Sequence, residues 1–218
     1  GDEERDSGDV ARRLGDEATF QRLAERNIAT LSRYRFQRIV TADPHSFHVL
    51  GREYGAFGGD YVVKHHSTFI AELFDAGRLS VKAAEPGETV TYHDPCYLGR
   101  YNGEFAAPRQ VLAALGVEVA EMERSGYRSR CCGGGGGAAL SDVPGKARIP
   151  DMRMEDVRET GATTVAVACP QCTAMLEGVV EPRPQVKDLA ELVAAALVEP
   201  AAAPTARTSS EAPEEVPA

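Results

Sequence analysis

The chain holds five cysteines in three short motifs: Cys96 in "HDPCYLGR", Cys131 and Cys132 in "RCCGGGGG", and Cys169 and Cys172 in "ACPQC". Thiolates are the protein's ligands for soft metals. A Cys-Pro-X-Cys turn sets two of them within reach of one metal site, and a helix starting at that turn aims free N–H groups at the sulfurs and lowers their pKa. Adjacent Cys131 and Cys132 present two sulfurs to different atoms of one polynuclear core. The glycines after them remove side chains, so that backbone approaches the core and donates N–H groups to its sulfides. A single zinc takes four ligands, one fewer than this set offers. The pattern points to an iron–sulfur centre. Two other readings stay open: a zinc-stabilised, non-redox interaction domain, and a thiol–disulfide catalyst working through Cys169 and Cys172. No strand directly precedes the glycine run and no Gly-Lys-Ser/Thr follows it, so it does not read as a nucleotide-binding loop.

Elements that could position these motifs follow from periodicity. Apolar residues at helical spacing predict a helix over "ATFQRLAERNIATLSRY" (18–34). The β-branched run "FQRIVTADP" leads into the helical "FHVLGREYG", then a strand in "YVVKHH" and a helix in "STFIAELFDAG" closed by Gly77. Strands are expected in "ETVTYHDP" and "VEVAEME", flanking the helix "APRQVLAALG". Beyond the glycines, "IPDMRMEDVRETG" is helical, "ATTVAVACP" a strand, and "TAMLEGVV" and "VKDLAELVAAALV" helices. Strands alternating with helices predict an α/β fold with parallel sheets. Each cysteine motif then falls at a strand-to-helix junction or in a loop, where open parallel sheets gather functional groups. The Ala/Pro/Glu-rich tail (199–218) reads as disordered.

An internal repeat divides the chain. "RIVTADPHSFHVL" and "TVAVACPQCTAML" share one plan, a strand, X-Pro-X-X, then a helix. Upstream lie "DSG" and "CCG", with Gly8 35 positions before Asp43 and Gly133 36 before Cys169. Asp6, Ser7, Asp43 and Ser46 therefore stand where the second copy has Cys131, Cys132, Cys169 and Cys172. This gives two pseudo-symmetric Rossmann-like halves, a partial and degenerate first unit (1–87) and a complete second one (88–198). The first copy starts mid-unit, so the chain reads as a C-terminal portion of something longer.

The formal net charge of −9 is concentrated at the two ends, leaving residues 10–198 at −2. That excludes the basic stripe that nucleic acid requires. No apolar run approaches the ~20 residues that span a bilayer, and the acidic start lacks a signal peptide's pattern. A cytoplasmic location is expected. Of the remaining polar candidates, His93 and Asp94 read as supports for the Cys96 loop, or as an ordinary Asp-Pro turn. His65 and His66 read as hydrogen-bond donors near the sulfurs or as a strand-end cap, and His45 and His48 as remnants of a metal site with Asp43. Arg128 and Arg130 read as charge compensation or as solvated loop residues.

The order "HDPCYLGRYN", "CCGGGGG", "ACPQC" resembles the CCG-type cysteine-rich domain of the heterodisulfide reductase family. Its relatives include the iron–sulfur subunits of glycolate oxidase and the electron-transfer-flavoprotein dehydrogenases. The likeness covers residues 6–198 and is strongest from Glu88 to Leu176. It implies a non-cubane [4Fe–4S] cluster on Cys96, Cys131, Cys132, Cys169 and Cys172, with His93, Asp94, Gly133 and Gly134 around it. Family members carry two such motifs; here the first has oxygen ligands, which suit iron–sulfur clusters poorly, so a single cluster is expected. No run of cysteines for cubane clusters occurs, which assigns those to an upstream ferredoxin-like domain or a partner protein. "GRYNGEFAAPR" and the long glycine run are most similar to the type linking electron-transfer flavoprotein to quinone. The resemblance thus implies an electron relay within an iron–sulfur oxidoreductase, with a flavoprotein and a quinone-linked membrane subunit as partners. Through them it implies peripheral association with the inner face of the membrane, with no transmembrane segment in the chain itself.

Overall fold

The computed structural model describes residues 3–82, 89–141 and 144–198. The disordered tail expected over 199–218, and the unit boundary near Glu88, lie outside the described residues.

The second half is organised by the strand β5 (Thr164–Val167), whose four residues are all buried. It pairs in parallel with β3 (Thr89–Tyr92) on one side and β6 (Gln185–Asp188) on the other. β4 (Glu118–Val119) completes the sheet in the order β4-β3-β5-β6. A parallel sheet is covered on both faces, so its central strands are apolar throughout rather than alternating with polar residues. Ala166 packs with Val90 and Tyr92 against α5 (Ala106–Ala114), α8 (Leu189–Ala196) and α4 (His66–Asp75), through Val111, Leu112, Leu189, Val193 and Ala71. Val165 and Val167 face the other way, with Val186, onto α6 (Ile149–Glu159) and α7 (Pro170–Glu177), through Met154, Val157 and Leu176.

The first half has a smaller sheet, β1 (Ile39–Thr41) parallel to β2 (Val63–His65). Phe20 and Ala24 of α2 (Glu17–Leu31) pack there with Val49 and Tyr54. Before α2 lies α1 (Asp9–Leu14), and between β1 and β2 lies α3 (Pro44–His48), continued by a wide turn and a tight one as far as Phe57. The path β1-α3-β2-α4 repeats the path β5-α7-β6-α8, including the parallel pairing of its two strands. The copies differ at one edge: β5 is paired on both sides, whereas β1 pairs only with β2 among the described residues.

The structure differs in detail from the expected elements at four points. "VKD" is not the start of the last helix: Val186 is buried opposite Val165 in the ladder, and Asp188 caps α8 through a capping box with Glu191. Pairing to a neighbouring strand overrode the helical pattern. "VEVAEME" forms only a two-residue strand before the chain turns away. The short α1 was not read, because six residues carry too little periodicity. Finally, "FHVLGREYG" is helical but irregular across 44–57.

His65, fully buried at the end of β2, caps α4: its Nδ1 accepts from the Ser67 N–H and its Nε2 faces the Ala42 carbonyl at 3.2 Å. Burial, and the neighbouring His66, hold its pKa down at about 3. The unfolded chain takes up this proton near pH 6.5 and the folded chain only near 3, so acid favours unfolding across that interval. Between about pH 7 and 5 we expect His65 to withdraw on the order of 2 kcal/mol of stability. Urea midpoints at the two pH values, compared between wild type and His65→Asn, should differ by that amount in their pH dependence.

Candidate metal centre

Because β3 and β5 are parallel neighbours, the segments that leave them emerge at the same edge of the sheet. Cys96 comes four residues after β3, and Cys169 two residues after β5. Cys169 is the N-cap of α7, accepting from the Cys172 N–H at 3.4 Å. Cys131 accepts from the Gly133 N–H at 3.3 Å. Cys132, Cys169 and Cys172 are buried in one cluster, with Cys131 and Met175 packed against it and Cys96 half-buried at its side. None of the five is in a disulfide.

The thiols act electrostatically on one another along the series Cys96–Cys131–Cys132–Cys172–Cys169. Contacts from Cys132 and Cys96, then backbone N–H groups, pull Cys131 far down. Cys96, giving to Cys131 and buried, is pushed far up. Cys132 is pushed up to about 12 by Cys131 and burial, and Cys172 well up by Cys132, Cys169 and burial. Cys169 is pulled down to about 6 by Cys172, against burial and with help from His45. A buried series of this kind holds protons that a cationic core would displace.

His93 supplies a test of fit. It is buried on every side, and its Nδ1 accepts from Arg153 Nε at 3.0 Å. Burial and the Arg153 cation keep it neutral, with a pKa of about 3, so the ring proton sits on Nε2. That nitrogen has no protein partner, and a ring nitrogen of His93 lies within 4.8 Å of the Cys132 and Cys172 sulfurs. A buried donor left unpaired is costly, and a sulfur-rich core bound beside it would accept its hydrogen bond. The donor set therefore fits an iron–sulfur group.

Asp94 ties the surrounding loops together. Its carboxylate takes two bonds from Arg109 (2.8 and 3.1 Å) and one from the Gly126 N–H (2.7 Å), while its carbonyl accepts from Ser129 Oγ. The exit of β3 is thereby fixed to the approach to Cys131. Two of the glycines also make room for protein neighbours. Gly133 has φ +91°, and a Cβ there would meet Ile149 and Pro150 at 3.1 and 3.0 Å; at Gly134 it would meet Met175 and Gln171 at 2.9 and 3.0 Å. These two glycines seat the loop on α6 and α7, and Gln171 Nε2 donates to the Gly134 carbonyl at 2.6 Å.

Of the first-copy residues, Asp6, Ser7 and Asp43 line a cleft of about 290 Å³ with Asp9, His45 and Pro170. Their oxygens are largely engaged. Asp6 accepts from the Gly8 N–H, the Ser7 carbonyl accepts from Tyr54 Oη, and Asp43 caps α3 through His45 and Ser46 N–H groups while accepting from Ser46 Oγ. His48 faces Asn102 and Glu53, and His66 faces Asp188. Arg130 pairs with Asp156, and Arg128 is exposed. The sequence reading missed two groups. Arg153 interrupts the apolar face of α6 made by Pro150, Met154 and Val157, a signal that was available. Asp9 lies 2.7 Å from His45, a contact across 36 positions that no local pattern announces. Burial works against a charge on His45, but Asp9 and Cys169 raise its pKa to about 10.

Residues 90–177 match the family CCG, the cysteine-rich domain. The chain is 67% identical to a probable membrane-anchored ferredoxin of Chromohalobacter salexigens, over 99% of its own length and 34% of that protein's. It is 37% identical to the EtfAB:quinone oxidoreductase of Syntrophomonas wolfei, covering 88% of the chain and 29% of the relative. It is also 35% identical to a subunit of the dihydromethanophenazine:CoB–CoM heterodisulfide reductase of Methanosarcina barkeri, covering 80% and 44%. The chain thus carries a CCG cysteine-rich domain and is related to iron–sulfur oxidoreductases of the heterodisulfide reductase type. It spans less than half the length of these curated relatives. No helix among the described residues is long and apolar enough to cross a membrane.

Arg153 is wholly buried and also donates to the Arg124 carbonyl, Asp156 and Ser129 Oγ. Removing one partner of a buried charged network leaves the rest unpaired, at a cost of about 3–5 kcal/mol. Arg153→Ala should lose that much in urea unfolding; a loss below about 1 kcal/mol, the level of an exposed pair, would mean the network does not hold the site.

Proposed function

We propose that Cys96, Cys131, Cys132, Cys169 and Cys172 together ligate one non-cubane [4Fe–4S] cluster, and that the chain relays electrons within an iron–sulfur oxidoreductase. The observation that carries this reading is the gathering of the cysteines at one edge of the sheet, Cys132, Cys169 and Cys172 buried together with Cys131 against them and Cys96 alongside, with the unpaired His93 Nε2–H beside them. Such a cluster, when bound, takes up and releases electrons at a potential set by hydrogen bonds to its sulfurs, burial and local charge. The chain's residues supply those settings. Met175 packs against the buried cysteines, His93 would donate to a sulfur of the bound cluster, and Asp94 with Arg109 fixes the Cys96 loop. Asp43 and Ser46 stand where the second copy has thiols and serve as a helix cap, so no second cluster is proposed in the first copy.

The flavin-linked donor and the quinone or other acceptor are supported by the name of the Syntrophomonas relative. Association with a membrane, through a partner or another part of the protein, is supported by the name of the Chromohalobacter relative, and we place it at the inner face. Cubane clusters, where used, belong to an upstream ferredoxin-like segment or a partner. Residues 1–87 and 88–198 serve as the degenerate and the cluster-bearing unit.

The test is the iron and acid-labile sulfide content of protein purified without oxygen, with its electron paramagnetic resonance spectrum. About four of each per chain are expected, with both lost in Cys131→Ala and Cys132→Ala. One zinc and no sulfide would replace this reading with a structural metal site. Bare thiols whose activity survives chelation would replace it with dithiol chemistry at Cys169 and Cys172.

A further inference from the structure

His45 belongs to the first half of the chain but lies near a sulfur of the second, that of Cys169. In the repeat it stands where the second copy has Gln171, between the proline and the last residue of the X-Pro-X-X turn. Gln171 holds the glycine loop of its own half. His45 instead reaches across: a ring nitrogen lies within 4.8 Å of the Cys169 sulfur and of an Asp43 carboxylate oxygen. The ring is 7% exposed and is fixed on two further sides. Its Nδ1 is 2.7 Å from Asp9 Oδ2, and its face stacks on Tyr97, the residue after Cys96, at 3.9 Å between centroids and 26° between planes. Asp9 is itself 4% exposed and is held through its other oxygen by Arg13 Nε at 2.9 Å. Arg13 in turn pairs with Glu53. Residues of the first half thus form a braced line, Glu53–Arg13–Asp9–His45, ending on a cysteine of the other half, with Tyr97 as its side wall.

A carboxylate and a thiolate are both acceptors only. A protonated imidazole held between them can satisfy both, donating from Nδ1 to Asp9 and from its other nitrogen toward Cys169. We propose that the Asp9–His45 pair positions a donor on the Cys169 sulfur and so raises the reduction potential of the centre that Cys169 holds. This rests on the cluster reading above. Hydrogen bonds to sulfur ligands stabilise the more negative, reduced state of an iron–sulfur centre. Cys169 thereby receives a donor from outside its own unit, and the first copy, which has no cysteines, acts as a tuning arm. His45 is a positioning residue, acting on the centre through Cys169.

The experiment is a redox titration followed by electron paramagnetic resonance, on the whole chain made without oxygen, with iron and sulfide measured first in every sample. His45→Phe should keep its iron and shift to lower potential by about tenfold in the reduction equilibrium, about 59 mV for a one-electron couple. His45→Gln, which retains an N–H at similar reach, should fall between the two, and Asp9→Asn should move in the same direction by less. A loaded His45→Phe protein at the wild-type potential would overturn the proposal. Should His45→Phe lose its iron, His45→Gln and Asp9→Asn decide: both at the wild-type potential overturn it, and lowered potentials support it. Wild-type protein without iron would instead refute the cluster reading, a failure distinct from an unmoved potential.

Discussion

The parallel pairing of β3 with β5 is the constraint on which the rest of the site depends. It brings the chain out at one edge of the sheet twice, at residues 93–96 and 168–172, with the His93 N–H still in the ladder to the Ala166 carbonyl at 2.9 Å. Two cysteine motifs far apart in the chain thereby become neighbours. The third, Cys131–Cys132, is delivered by a loop whose course is dictated by Asp94 and by the contact of Gly133 and Gly134 with α6 and α7. Burial on both faces of β5 makes this edge rigid, since every residue of that strand is packed.

Electrostatics inside this edge follows from the neighbour each group meets. His93 and His45 are both buried beside the sulfurs, and they are driven to opposite charge states. The guanidinium of Arg153 on His93 Nδ1 reinforces the effect of burial and keeps that ring neutral, whereas Asp9 on His45 outweighs burial and holds the proton. In a dry environment one neighbouring charge decides the state of a titratable group. A neutral ring thus stands near the Cys132 and Cys172 sulfurs and a charged one near that of Cys169.

The two copies of the repeat show how little the backbone depends on the ligands. Asp43 and Cys169 occupy the same position, and both cap the helix that comes after them, each accepting an N–H from the residue three further on. Exchange of thiol for carboxylate preserves the cap while replacing a soft donor with a hard one. Local structure survives, and the metal chemistry does not.

The sequence alone determined the α/β alternation, most helices and strands, the repeat, and the identity of the five cysteines as one chemical set. These are legible because periodicity, caps and thiol chemistry are local or compositional. Pairing to β5, which made a strand of Val186 and its neighbours where helical spacing was read, is a non-local effect. So is the role of Gly133 and Gly134, whose missing side chains turn out to admit protein neighbours. The contact of Asp9 with His45, and the approach of His45 to Cys169, were decided by the tertiary structure alone, because they join residues whose meeting no short pattern encodes. Arg153 lies between the two cases. Its place on an apolar helical face was visible in the sequence, but its partner His93, 60 positions away, was given only by the packing of α6 against the sheet.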